Sequence, residues 1–204
     1  MNITVGSIFS LKPALNDGFD SLIQTGDSQI CAGFVAYGPQ TTMMLSVGHG
    51  TAMFIYLAEQ QDFILLNAHC TIPDDGYEYA INGSNQYYWD KNIQSFIDFC
   101  QHNTQTNKSY NTRWVASLIA ETTRIISRGG IFLYPRDSRK GYENGRLRLL
   151  YEAQPIAMLI EQAGGKASDS HQPITQLKAT SLHQRTPLIF GSPQQMAIFE
   201  QYIA

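Results

Sequence analysis

The sequence predicts an α/β protein with two units, an antiparallel sheet over residues 1–72 and an α/β unit with a mixed sheet over residues 73–204. Short runs of apolar and β-branched residues with short connections fill the first third, a pattern typical of antiparallel strands. Beyond the turn Ile72-Pro73-Asp74-Asp75-Gly76, strand patterns alternate with helical periodicity. That alternation indicates helices packed on a sheet.

Five strands are expected in the first unit, and Gly, Pro, Asn and Asp separate most of them. No helical period occurs there, so one face of this sheet has no local cover, although an apolar sheet face needs a second layer. The cover must come from the C-terminal unit, from another subunit or from sequence outside this chain, and we expect a homo-oligomer, a dimer or tetramer. The expected strands are 3–11, 30–37, 41–47, 52–57 and 63–67.

The second unit begins its helices at Asp90, an expected N-cap followed by apolar residues at helical spacing. A second helix ends at Gly129-Gly130, which indicates a C-cap. Strands over 131–134 and 146–151 follow, and Pro155 suits the first turn of a third helix. A strand over 187–191 and a closing helix complete the unit. The residues expected on the apolar helix faces are Ile93, Phe96, Ile97, Cys100, Val115, Leu118, Ile119, Thr122, Ile126, Met196, Phe199 and Ile203.

Composition excludes several classes of function. The 14 basic and 17 acidic residues give a net charge of -3 without long runs of either sign, which argues against a nucleic-acid partner. Three cysteines without Cys-x-x-Cys spacing indicate reduced thiols rather than a disulfide framework or a zinc site. We find no pattern of a signal peptide or a membrane span. We therefore expect no membrane partner and a cytoplasmic location.

Glu152 is the main candidate for metal chemistry. It follows the expected strand over 146–151 and stands just before a helix, and ligands in α/β folds often bind beyond the carboxyl ends of strands. Mg²⁺ takes carboxylate oxygens. The alternative, which is commoner for a single carboxylate, is a solvated glutamate stabilised by the helix dipole.

Arginines are the candidates for binding a phosphate. Arg146 and Arg148 alternate with leucines and so share one strand face, where two guanidinium groups suit a phosphate. The alternative is an ordinary charged strand face. Arg113 precedes a helix, where a cation is unfavourable unless an anion shares the site.

Three further polar residues are candidates for binding a ligand. Tyr134 ends an apolar strand, so its ring can pack while its hydroxyl reaches a ligand. Asn82 and Asn85 lie in a polar loop, and ordinary turn formation is the alternative explanation for both.

Four segments in the same order resemble the class I fructose-1,6-bisphosphatases: residues 5–9 (VGSIF), 129–135 (GGIFLYP), 147–152 (LRLLYE) and 183–193 (HQRTPLIFGSP). The resemblance implies the layered sugar-phosphatase fold, with a remnant of the first domain's sheet and a C-terminal substrate-binding domain. It also implies hydrolysis of fructose 1,6-bisphosphate to fructose 6-phosphate in carbohydrate metabolism and gluconeogenesis.

The same resemblance implies roles for the candidate residues. In the family, the counterparts of Asn82, Tyr134 and Arg113 hold the substrate's 6-phosphate, and the arginine crosses to a neighbouring subunit's site. Arg146 stands where many members have a lysine that contacts the sugar, and Glu152 matches a metal-binding glutamate. Asn85, Trp114 and Leu118 replace residues that are often two tyrosines and a methionine.

The resemblance also implies an incomplete metal site. The family's Asp-Pro-x-Asp-Gly-Ser-Ser segment, with two further ligands for Mg²⁺, corresponds to sequence before Asn2. We therefore expect this chain alone to be nearly inactive. Two alternatives stay open: a non-catalytic module that binds sugar phosphates or a partner, and a bisphosphatase that also accepts sedoheptulose 1,7-bisphosphate.

Overall fold

Two five-stranded sheets alternate with two helix layers in the computed structural model, which describes residues 4–102 and 109–203. The first sheet is an antiparallel meander whose strands pair in chain order. All five expected strands are confirmed to within a few residues, apart from position 3, which lies outside the described residues. Its strands are β1 (Val5–Leu11), β2 (Cys31–Tyr37), β3 (Thr42–Ser46), β4 (Thr51–Leu57) and β5 (Asp62–Cys70).

The sequence pattern did not predict a short helix that lies between β1 and β2. This helix, α1 (Gly18–Leu22), follows Asp17, whose side chain accepts hydrogen bonds from the backbone N–H groups of Phe19 and Asp20. At five residues it is too short to show a helical period, and none of its residues is buried. Its formation depends on the N-cap rather than on an apolar face.

The second sheet is mixed, in the spatial order β10, β12, β8, β6, β7. β6, β7 and β8 run parallel, whereas β12 is antiparallel to β8 and to β10. β9 and β11 form a separate two-stranded pair. The bounds are β6 (Glu78–Ala80), β7 (Asn111–Thr112), β8 (Ile131–Tyr134), β9 (Leu147–Arg148), β10 (Lys166–Ser168), β11 (Arg185–Thr186) and β12 (Leu188–Gly191).

Four longer helices pack on this sheet: α2 (Lys91–His102), α3 (Leu118–Arg128), α4 (Gln154–Gln162) and α5 (Pro193–Ile203). The expected apolar stripe of α2 is confirmed, since Ile93, Phe96, Ile97 and Cys100 are all buried. α2 and α5 share one core with one face of the second sheet. Within the described residues, no helix is long and apolar enough to cross a membrane.

α3 and α4 lie between the two sheets and decide how the first sheet is covered. Residues of the first sheet, including Phe34 and Met44, share one continuous core with α3, α4 and the second sheet. The hydroxyl of Thr51 donates a 2.7 Å hydrogen bond to the Leu159 carbonyl of α4. The C-terminal unit therefore covers this face. Because the core crosses residue 72, the division into 1–72 and 73–204 stays a prediction.

The expected strand over 146–151 is wrong in its second half. The strand ends at Arg148, and a π-helical turn, Leu149–Ala153, leads directly into α4. Pro155 has no N–H to donate to a carbonyl of the preceding turn, and its ring crowds that carbonyl, so the first turn widens. Glu152 therefore lies within a helical turn rather than at the end of a strand.

Candidate functional site

The carboxyl ends of three neighbouring parallel strands bring predicted phosphate-binding residues to one edge of the second sheet. Arg113 follows β7, Asn82 follows β6, and Tyr134 is the last residue of β8. The pairings of β6 with β7 and with β8 place these ends side by side. Such an edge is where ligands bind in open α/β sheets.

Asn82, Asn85 and Tyr134 line one small crevice at this edge, together with Trp89 and Asp137. The side-chain oxygen of Asn82 accepts a 3.2 Å hydrogen bond from the Ser84 N–H, and its backbone carbonyl accepts one from the Asn85 N–H at 3.0 Å. Asn82 thus caps a short 3-10 turn. The turn-forming role considered for it is present, and the turn holds Asn82 and Asn85 beside Tyr134.

Arg146 and Trp114 flank the Tyr134 ring. The Arg146 guanidinium carbon lies 5.8 Å from the centre of that ring and 4.4 Å from the centre of the Tyr142 ring. Trp114 stacks on Phe132, with 6.0 Å between ring centres and 14° between planes, and also contacts Tyr134. A guanidinium group and an indole ring therefore lie beside Tyr134, which itself lines the crevice.

Arg113 is held by a carboxylate of the protein itself. Its Nε lies 3.4 Å from Oε1 of Glu78. The same oxygen accepts a closer hydrogen bond from Arg128 at 2.6 Å, and Oε2 of Glu78 accepts one from Arg124 at 2.7 Å. The Arg113 side chain is half exposed, whereas that of Glu78 is only 9% exposed. The anion that the sequence predicted beside Arg113 is thus Glu78 in the structure.

The charges around Glu78 include a second carboxylate. Arg124 also binds Glu121, whose Oε1 accepts a 2.7 Å hydrogen bond from the Val115 N–H. Among the described residues, three arginines and two carboxylates meet around Glu78. Burial raises the pKa of Glu78, but the hydrogen bond and charge of Arg124, with help from Arg128 and Arg113, outweigh burial and hold that pKa below its ordinary value.

Glu152 and Arg148 lie together in the turn that precedes α4. Oε2 of Glu152 accepts a 2.7 Å hydrogen bond from the Arg148 N–H, so the glutamate closes its own turn. Across residues 4–102 and 109–203, no three His, Cys, Asp or Glu side chains are grouped to hold a metal ion. The described residues therefore do not form a metal site around Glu152 by themselves.

Several residues around the site could not be predicted from the sequence. Glu78 and Glu121 come from a strand and a helix that meet only in the folded chain. Asp137, Arg139 and Tyr142 lie in the loop after β8 and have no motif spacing. The run of Tyr and Arg residues in that loop was the one available signal, and it is equally typical of a solvated loop.

The family model of the fructose-1-6-bisphosphatase C-terminal domain matches residues 72–204. The chain belongs to this family. The resemblance and the layered α/β fold predicted from the sequence are thereby confirmed. The family's solved structures agree: the crystal structure of Leishmania major fructose-1,6-bisphosphatase in holo form superposes with a TM-score of 0.92 at 34% identity. The match covers 98% of this chain and 65% of the Leishmania major chain.

Curated relatives show the same likeness. The chain is 46% identical over 203 residues to a class 1 fructose-1,6-bisphosphatase of Cereibacter sphaeroides and 46% identical over 207 residues to that of Sinorhizobium medicae. Each match covers 98% of this chain. The chain spans 61% and 59% of the length of these two relatives.

Proposed function

We propose that this chain serves the hydrolysis of the 1-phosphate of fructose 1,6-bisphosphate, and that its own residues bind the sugar and the 6-phosphate of that substrate. The observation that carries the proposal is that Asn82 and Tyr134 line one crevice in a member of this family, while Arg113 follows the neighbouring strand β7. The names of the relatives support the choice of substrate.

The chemistry of these side chains suits a phosphorylated sugar. The amide of Asn82 and the hydroxyl of Tyr134 donate hydrogen bonds to phosphate oxygens. Arg113 leaves Glu78 at little cost, because Arg124 and Arg128 lie closer to that carboxylate. Arg146 lies beside Tyr134, where it reaches a sugar hydroxyl or a phosphate oxygen.

Mg²⁺ dependence is part of the proposal, with Glu152 as one carboxylate ligand. Mg²⁺ supplies charge neutralisation of the transferring phosphoryl group and activation of water in such reactions. The described residues contain no complete group of metal ligands. The proposal therefore assigns substrate binding, rather than phosphoryl transfer, to this part of the protein, and we expect the 204-residue chain to release little phosphate by itself.

Fructose 6-phosphate binding to the purified chain tests the proposal, with Trp89 and Trp114 as fluorescent reporters beside the crevice. We expect binding that weakens about tenfold in Arg113→Ala and by about fivefold in Tyr134→Phe, since these changes remove one charged and one neutral hydrogen bond. Unchanged affinity in both variants would show that the ligand binds elsewhere.

A phosphate-release assay with Mg²⁺ and fructose 1,6-bisphosphate completes the test, with the Cereibacter sphaeroides relative as positive control. A lack of phosphate release by this chain, beside an active control, agrees with the proposal. Turnover comparable to that of the control would contradict it, because other carboxylates would then have to build the metal site.

The second candidate function is a non-catalytic module that binds sugar phosphates, favoured by the absence of a metal-ligand group among the described residues. It predicts fructose 6-phosphate binding that Mg²⁺ leaves unchanged. Mg²⁺-dependent tightening of the complex favours the enzyme. A homo-oligomeric assembly and a cytoplasmic location belong to the bisphosphatase proposal, and the three free cysteines support the location.

A further inference from the structure

Tyrosine rings and arginine side chains alternate along one side of the candidate site. The Arg139 guanidinium carbon lies 4.9 Å from the centre of the Tyr88 ring and 4.7 Å from that of Tyr142. Arg146 lies 4.4 Å from the centre of the Tyr142 ring and 5.8 Å from that of Tyr134. We call the series Tyr88, Arg139, Tyr142, Arg146 and Tyr134 the stacking ladder.

A buried carboxylate holds Arg139, the second member of the ladder. Asp137 is 5% exposed, and its Oδ1 accepts hydrogen bonds from Nε of Arg139 at 2.9 Å and from the Arg139 backbone N–H at 3.0 Å. The Arg139 hydrogen bond, against the effect of burial, holds the pKa of Asp137 below its ordinary value. Arg139 is therefore held by the Asp137 carboxylate as well as between the Tyr88 and Tyr142 rings.

The backbone of the loop fixes Tyr142 in the same way. Its N–H donates to the Arg139 carbonyl at 2.9 Å, and its carbonyl accepts from Asp137 at 3.2 Å and from Gly145 at 3.0 Å. Gly145 has a φ of 78°, and a Cβ there would lie 2.3 Å from the Pro187 nitrogen. The turn after Tyr142 therefore requires glycine, and Tyr142 presents its ring to Arg146 from a defined backbone position.

We propose that Tyr142 and Arg139 are positioning residues, which hold the Arg146 guanidinium over Tyr134 in the orientation that receives a sugar phosphate. The inference rests on the proposed function, because Arg146 acts on the ligand and Tyr142 and Arg139 act through Arg146. A long arginine side chain loses conformational freedom when it binds a ligand. An arginine already held on a tyrosine face loses less.

The first test needs no ligand. The NMR signal of the Arg146 Nε–H group, assigned by its loss in Arg146→Lys, reports on the ring above it. We expect Tyr142→Leu to move this signal toward the position typical of a solvated arginine, and Tyr142→Phe to leave it nearly in place, since the ring rather than the hydroxyl carries the contact. An unmoved signal in Tyr142→Leu would overturn the proposal.

The second test measures fructose 6-phosphate affinity. Tyr142→Leu should weaken fructose 6-phosphate binding about fivefold, as expected for one cation–π contact. Tyr142→Phe should retain most of the parent chain's affinity. The exposed Tyr37 of the first sheet provides the matched control Tyr37→Leu, which should bind like the parent chain. If the Arg146 signal moves but the affinity does not, the ladder is structural only and the positioning role is wrong.

The two proposals fail in different ways. A parent chain that does not bind fructose 6-phosphate contradicts the proposed function, whereas the Arg146 signal still tests the ladder. Arg139→Gln alone leaves the buried Asp137 carboxylate without its hydrogen-bonded cation, so the double variant Asp137→Asn with Arg139→Gln tests Arg139 in a fold with balanced charge. The double variant should shift the Arg146 signal less than Tyr142→Leu does, because the Tyr142 ring still lies between position 139 and Arg146. A larger shift would contradict the order of the ladder.

Discussion

The two five-stranded sheets differ in how their faces are covered. In the second sheet, the adjacent residues Phe132 and Leu133 point to opposite faces, and both are buried, against α3 and α4 on one side and α2 and α5 on the other. In the first sheet, Phe34 on the inner face is 0% exposed, whereas Leu65 on the outer face is 52% exposed. The candidate site lies on the sheet that has both faces covered.

The difference indicates a division of roles. A sheet packed on both faces holds its strand ends in fixed positions, as a binding site needs. A sheet packed on one face contributes to the common core but leaves an apolar surface exposed. Apolar surfaces of this kind mark an interaction region. Three predictions test this contrast, in order of decreasing expected effect.

The largest effect should come from the inner face of the first sheet. Phe34→Ala should lower the free energy of unfolding by about 4 kcal/mol, because it leaves a cavity in the core shared by both sheets. Leu65→Ala on the outer face should cost less than about 1 kcal/mol. Urea unfolding followed by tryptophan fluorescence measures both, and equal losses would contradict the one-sided packing of this sheet.

The Glu78 cluster at the edge of the second sheet should have an intermediate and pH-dependent effect. The folded-state pKa of Glu78 lies below its ordinary value of 4.5. The ionised carboxylate therefore contributes stability above the unfolded-state pKa, and that contribution is lost as the pH falls through the folded-state pKa. Glu78→Gln should cost about 3 kcal/mol at pH 7, as expected when one partner of a buried ion pair is removed.

The pH dependence of that loss is the sharper measurement. The difference in unfolding free energy between the parent chain and Glu78→Gln should shrink as the pH falls below about 4.5, because the parent then loses the same charge. Glu59→Gln, at an exposed position in the first sheet's last hairpin, is the control and should change stability by less than about 0.5 kcal/mol. A loss that stays constant with pH would show that the Glu78 charge is unimportant.

The smallest effect on stability, and the clearest on assembly, should come from the outer face of the first sheet. We expect the chain to sediment as a dimer or larger, and Leu65→Lys to shift it toward monomer with a stability change within about 0.5 kcal/mol. Sedimentation velocity at several concentrations measures this. A parent chain that is monomeric throughout would show that this face does not drive association.

Much of the fold could be predicted from the sequence, since its elements are local. The strands of the first sheet, the buried stripe Ile93, Phe96, Ile97 and Cys100, and the C-cap at Gly129 with a φ of 75° follow from periodicity and turn residues. Prediction failed for α1, which is short, and for residues 149–153. In that segment a widened helical turn replaced the strand that alternating residues indicated.

Less of the site could be predicted, because side chains from distant positions build it. The sequence identified Arg113 as a cation that needs an anion, but Glu78, 35 residues away along the chain, is the anion it meets. The sequence likewise singled out Arg146 and Tyr134. Neither spacing nor residue type indicated that Tyr142 lies against Arg146 or that Arg139 is clamped on Asp137.

The sequence by itself determined most strand and helix segments, most of the apolar helix faces and the family, because each depends on residues close along the chain or on short motifs. Val115 is an exception, since it lies before α3 and is 45% exposed. The tertiary structure alone decided which layer covers the first sheet, which carboxylate pairs with Arg113, and which rings hold the arginines. These outcomes depend on contacts between segments far apart in the chain. Periodicity shows that a face must be buried, but only the packed layers show what it is buried against.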